Sequence, residues 1–146
     1  MEFIPLDKIL ARGEKSISPR ALYSLLQPLV EALIEWRDSG STGHSLNIRS
    51  IELSSDGKHV RIVDASSDEA QNIINYGHVL RYVIPFSTLS SKRLATIAQQ
   101  CCHGKVANLE TLHLMLERMV SSTIYKILLA ILITGFAILA INQILH

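Results

Sequence analysis

The sequence predicts a mainly α-helical domain with a small β-hairpin, an α+β arrangement, followed by one transmembrane helix. Three patterns predict it. Apolar residues recur at helical spacing through most of the first ~120 residues. An Asp-Gly turn, Asp56-Gly57, lies between two short runs of strand character. The segment Ile124 to Leu145 then carries one charged side chain, Lys126. At 146 residues and 16.2 kDa, the chain has room for one domain and the span. The expected division is 1–122 for the domain and 123–146 for the membrane helix.

The first helix is signalled by Ser16-Ile17-Ser18-Pro19, a capping serine followed by a proline in the first turn. Leu22, Leu25, Leu26, Leu29, Leu33 and Trp36 then define one apolar face. Pro28 falls inside this pattern, so it kinks the helix or opens a second one. Asp38-Ser39-Gly40-Ser41-Thr42-Gly43 is a polar loop. Strands are expected over Leu46–Leu53 and Val60–Val63, joined through Ser54-Ser55-Asp56-Gly57. Asp68 and Glu69 read as part of a solvated turn. Helical patterns resume over Ile73–Ile84, Leu89–Cys102 and Leu109–Val120, with breaks at Pro85 and His103-Gly104.

Ile124 to Leu145 reaches about 33 Å as a helix at ~1.5 Å per residue. A bilayer core is about 30 Å thick, so the segment spans it with little tilt. Lys126 sits where its stem stays in apolar surroundings while the ammonium reaches the headgroups. Asn142, Gln143 and His146 mark the other end. Within the span, Ala130, Thr134 and Ala137 share a stripe of small residues on which a second helix packs closely. Arg118 and Lys126 flank the N-terminal side, which places the domain in the cytosol by the positive-inside rule. The opening MEFIPLDKILARGEK lacks the long apolar core of a signal peptide. A single-pass, tail-anchored protein in contact with membrane lipid is the expectation.

Charge and cysteine content exclude other classes. With Lys126 set aside from the 14 basic residues, the part ahead of the span balances its 13 acidic residues. No overall basic excess marks a nucleic-acid binder. Cys101 and Cys102 are adjacent and have no third cysteine to join, which fits a reducing compartment and a packing role. With His103 they do not form a zinc site, whose paired cysteines normally stand apart. His44, Ser45 and Asp64 do not read as a catalytic triad, because no G-x-S-x-G surrounds the serine.

The order of elements resembles the larger, helical lobe of a protein kinase. Met1-Glu2-Phe3-Ile4-Pro5 is similar to the hinge strand that enters this lobe. Leu22 to Trp36 is similar to the long helix before the catalytic loop. Gly43-His44-Ser45-Leu46-Asn47-Ile48-Arg49-Ser50-Ile51 resembles that loop, in a form that would read H-G-D-L-N-P-x-N-I. Asp56 to Ser66 resembles the following hairpin ending in D-F-G. Asn75 to Leu80 resembles the start of the central buried helix, and Leu94 to Met119 the last helical pair.

The departures decide what the resemblance implies. Phosphoryl transfer needs a nucleotide clamp, metal ligands and a carboxylate that orients the attacking hydroxyl. The catalytic Asp falls on Ser45, the metal-binding Asn on Ser50, and the Phe and Gly of D-F-G on Ala65 and Ser66. Asp64 alone survives as a candidate cofactor-binding residue. The sequence opens at the hinge-like strand, so a large lobe without its small lobe is expected. Its apolar residues there, Phe3, Ile4 and Leu6, would take a protein cover.

The resemblance therefore implies a degenerate pseudokinase lobe with no enzymatic activity and no resident cofactor. It would serve as a scaffold or docking subunit of a membrane complex, with other subunits as partners and no nucleic acid. Two alternatives stay open. One is half of a nucleotide-binding or kinase enzyme, completed by a partner chain. The other is an accessory transmembrane subunit of a channel or pump.

Overall fold

The computed structural model describes residues 2–88 and 91–145. Met1 of the hinge-like string, Leu89 at the expected start of a helix, and His146 lie outside the described residues. The chain divides into two compact units, Met1–Leu116 and Glu117–His146.

The first unit opens with strand β1 (Phe3–Pro5) and helix α1 (Leu6–Leu10). Helix α2 (Pro19–Ser24) starts where the sequence places it: the Ser18 hydroxyl accepts from Ala21 N at 3.2 Å, and Pro19 occupies the first turn. The long apolar pattern is split, with α3 running Gln27–Asp38. Pro28 sits in its first turn, where a missing N–H leaves no bond unmade. At the break, the buried Tyr76 hydroxyl donates to the Leu25 carbonyl at 2.9 Å.

Three strands form one antiparallel sheet in the order β1-β2-β3, with β2 at Ile51–Ser54 and β3 at Val60–Ile62. The expected hairpin is present. Gly57 takes φ +75° in its turn, the left-handed region that glycine enters without strain. Ser54 Oγ donates to Asp56 Oδ1 and also accepts His59 N at 3.0 Å, closing the turn from inside. The N-terminal strand adds to the hairpin through Phe3↔Ser54 and Ile4↔Leu53.

The expected strand from Leu46 is shortened at its start. The Asn47 side chain accepts Arg49 N at 2.8 Å, and Ser50 Oγ accepts Asn47 N at 2.8 Å. These side chains hold the backbone in a turn in place of a ladder.

Helix α4 (Glu69–Val83) follows, and Asp68 is its N-cap, accepting Ala70 N at 3.0 Å. The acidic pair is thus a helix start and not a solvated turn. A short 3₁₀ turn at Ile84–Phe86 leads toward α5 (Lys92–Cys102), which is capped by Ser91. Helices α4 and α5 pack closely through Gly77. A Cβ there would lie 2.7 Å from Ala98 O, Cys101 Cβ and Cys102 N. The core gathers Leu6, Leu29, Leu33, Ile51, Leu80, Leu109 and Leu112, none of them solvent-accessible. Each such side chain contributes roughly 1.5–3 kcal/mol by leaving water.

Leu6 corrects an expectation. It is fully buried at the start of α1, so it belongs to the core and not to a surface awaiting a cover. Phe3 and Ile4 are half-buried on β1, and the Arg61 guanidinium lies 4.1 Å from the Phe3 ring centroid.

Helix α6 runs Leu109–Leu145 without interruption. Asn108 caps it by accepting Thr111 N at 2.8 Å. Its C-terminal part is the one candidate membrane span among the described residues, by length and composition. Lys126, Ala130, Thr134, Ala137 and Asn142 are all exposed on it. The Thr134 hydroxyl donates to the Ala130 carbonyl at 2.9 Å, so it satisfies itself within its own helix.

Candidate functional site

The residues singled out by sequence meet where the loop after α3 crosses the end of β3. Val63 N donates to Ser50 O at 2.8 Å, extending the β2–β3 ladder and delivering the next residue, Asp64, to the loop. Asp64 Oδ1 accepts His44 N at 2.9 Å, and Oδ2 accepts Ser45 N at 3.3 Å. These charge-assisted bonds hold the Asp64 carboxyl below the usual carboxylate range. Its stabilising contribution is present above that range and is lost as pH falls through the folded value.

Gly43 is what lets the loop approach. A Cβ at this position would fall inside the Asp64 carboxylate, and at 2.5 Å from the Ala65 carbonyl oxygen. Glycine is therefore required here for space, not for φ.

The segment after Asp64 is held from the other side. Ser66 N donates to Asn72 Oδ1, and Asn72 Nδ2 donates back to Ser66 O, both at 2.8 Å. Trp36 Nε1 adds a second bond to that carbonyl at 3.1 Å. Asn72 is buried, and the pairing satisfies its amide in place of water. Ala65 is fully buried between these two anchor points. Neither Asn72 nor the indole N–H of Trp36 carried a signal in the sequence: Asn72 pairs with Ser66 across an irregular turn six residues back, and the Trp36 indole meets a partner 30 residues away.

A second polar cluster closes the same end of the fold. Arg37, at the end of α3, donates to Glu69 on α4 and forks onto both carboxylate oxygens of Glu110 on α6. Glu69 Oε2 also accepts Leu109 N at 3.3 Å. One guanidinium thus ties together the first turns of two helices. The pairing lowers the Glu110 pKa and raises that of Arg37.

The remaining candidates separate. The His44 ring is almost wholly exposed, and its Nδ1 stays 4.0 Å from Asp64 Oδ2. Ser45 meets Asp64 through its backbone, while its hydroxyl receives the Asn47 amide at 3.2 Å. Ser50 Oγ donates to Asn47 O at 3.0 Å and is buried. Cys101 is buried, which pushes its thiol up to about 12. Cys102 Sγ lies 3.7 Å from His78 Nδ1. A shallow hollow of about 330 Å³ lies beside the loop, between Leu46 and Ile48 on one side and His78, Val79 and Tyr82 of α4 on the other.

The donor set does not fit a magnesium site. Mg²⁺ takes near-octahedral oxygen ligands. Here one carboxylate is engaged through both oxygens by loop N–H groups, and the neighbouring Ser50 hydroxyl is turned back on its own loop. No group of three or more His, Cys, Asp or Glu side chains placed to hold a metal is found among the described residues. No protein-family model, curated protein or solved structure matches the chain.

Proposed function

We propose that this protein is a non-catalytic, membrane-anchored docking subunit, built on a degenerate kinase-like lobe. The observation that carries the reading is the use of Asp64. It is the one chemical residue that survives at the kinase-like positions, and both its oxygens are engaged in fixing the backbone at His44 and Ser45. The position matching the catalytic Asp is Ser45, whose hydroxyl accepts from the Asn47 amide, and the second metal position is the inward-turned Ser50. Residues that would move or bind nucleotide in an enzyme here bind each other.

The long apolar segment of α6 supplies the membrane attachment, with Arg118 and Lys126 on the cytosolic side. Lipid contacts the exposed face of the span. The small residues Ala130, Thr134 and Ala137 are where another membrane helix packs. Phe3 and Ile4 on the edge strand form a small apolar surface for a protein partner.

The test is extraction of the full chain in mild detergent, followed by identification of what co-purifies in stoichiometric amount. A defined membrane-protein partner, recovered less with Thr134→Leu while insertion is retained, supports the reading. Recovery of the chain alone, with no change on Thr134→Leu, overturns it.

A further inference from the structure

Charge in the first unit is segregated in a way that its balanced total conceals. Between Ala70 and Leu109 there is no Asp or Glu, while Arg81, Lys92, Arg93 and Lys105 are all present. All four are exposed, and none makes an ion pair among the described residues. Lys92 and Arg93 occupy the first turn of α5, where no acidic residue offsets them. The helix dipole disfavours cations at that end. Their placement therefore does not serve the helix.

Two of these cations, Arg81 and Lys105, line adjoining hollows. A hollow of about 470 Å³ lies between Arg81 near the end of α4 and, on the other side, Gln99 of α5 and its C-cap His103. A second, of about 210 Å³, takes in Thr96, Gln100 and Lys105 and shares Gln99 and His103 with the first. No acidic side chain lines either one. Lys92, Thr96 and Gln99 succeed one another along a single stripe of α5 that leads to its C-cap, His103, opposite the buried stripe of Leu94, Ile97, Ala98 and Cys101. The two hollows together are lined by the cations Arg81 and Lys105 and by the Gln99 and Gln100 amides.

We propose that this α4–α5 groove docks an acidic, extended segment of a partner protein. Its cations complement the carboxylates, and the Gln99 and Gln100 amides are suited to pairing with peptide groups. A concave, amide-lined surface favours a protruding chain over a flat layer of lipid headgroups. The inference rests on the docking-subunit reading above and names the chemistry of one of its partners.

The experiment uses the full chain in nanodiscs of uncharged lipid. A fluorescent Glu-Ser repeat peptide of about a dozen residues is titrated by anisotropy at low and physiological salt. The paired substitutions Arg81→Gln with Lys105→Gln remove charge from the groove. Arg12→Gln with Arg20→Gln remove the same charge from exposed positions elsewhere. Thermal melting checks that both variants remain folded, and a variant that does not is replaced by the single substitution Lys105→Gln. The expected result is saturable binding that weakens about tenfold in the groove variant and less than about twofold in the control.

Absence of saturable binding, or equal weakening in both variants, overturns the proposal. Phosphatidylserine vesicles form a second arm. Association with them that depends on Arg81 and Lys105 assigns the surface to headgroups and also overturns it. Co-purification separates the two levels. A stoichiometric partner without peptide binding defeats the groove alone, whereas no partner defeats the docking-subunit reading itself.

Discussion

Helix α6 contains two leucine-bearing regions of opposite fate. At its start, Leu109, Leu112 and Leu116 are fully buried, while Glu110, Thr111 and Leu114 between them are exposed. Further along, Ile131, Leu132, Ile133, Leu139 and Ile141 are each more than half exposed. The two regions differ in how much of the helix surface is apolar as well as in how it is arranged. The first region keeps its buried leucines on one stripe at spacings of three and four, with polar groups opposite, and a stripe is what a protein core covers. The second is apolar on every side. One packed neighbour cannot cover such a helix, whereas lipid can. Patterning thus separates a stripe that the domain core covers from a segment long and apolar enough to cross a membrane.

Substitutions that exchange the two environments break this comparison most severely. Leu112→Ala should destabilise the domain by about 2–5 kcal/mol, because a fully buried side chain leaves a cavity. Ile133→Ala should leave the same unfolding transition unmoved. Denaturant titration of both variants in detergent measures the contrast. Arg at Leu132 should cost about 2.5–3.5 kcal/mol of insertion and release protein from alkaline-washed membranes, whereas Leu114→Arg should not.

Two further substitutions sharpen the account of the folded unit. Gly77→Ala places a Cβ 2.7 Å from Ala98 O, Cys101 Cβ and Cys102 N, so the helices must shift apart, and it should cost about 1–3 kcal/mol, read as a lowered melting temperature. Tyr76→Phe removes the donor to Leu25 O at the α2–α3 break. It should cost about 1–3 kcal/mol, near the lower end if the carbonyl finds a water.

What was legible in the sequence was local. Ser18 and Pro19 announced α2, Pro28 the break, Asp56-Gly57 the hairpin, and the charge-free run after Lys126 the span. Each signal acts within a turn or two of its own position. The strand start at Leu46 was misread because alternation of apolar residues is a weaker force there than the bonds of Asn47 and Ser50 to their own backbone. Leu6 was misplaced because its burial depends on elements far along the chain.

The site was legible only as positions. That Ser45 and Ser50 lack the groups for phosphoryl transfer could be read directly. That Asp64 binds the His44 and Ser45 N–H groups could not be, since it depends on a crossing between segments about 20 residues apart. The Arg37–Glu69–Glu110 cluster was invisible for the same reason. Its members sit at element ends, where charges are ordinary and their convergence is set by packing.

The central claim is that Asp64 holds a loop and not a nucleotide. It is tested most directly by thermal unfolding of the full chain in detergent, with and without ATP and Mg²⁺, for the wild type and for Asp64→Ala. The account predicts that nucleotide leaves the wild-type transition in place, and that Asp64→Ala lowers it equally in either condition as His44 and Ser45 lose their shared acceptor. Saturating nucleotide at about a hundred times Kd would add about 2.7 kcal/mol to a binding protein. A rise of several degrees with ATP and Mg²⁺, abolished by Asp64→Ala, would contradict the account.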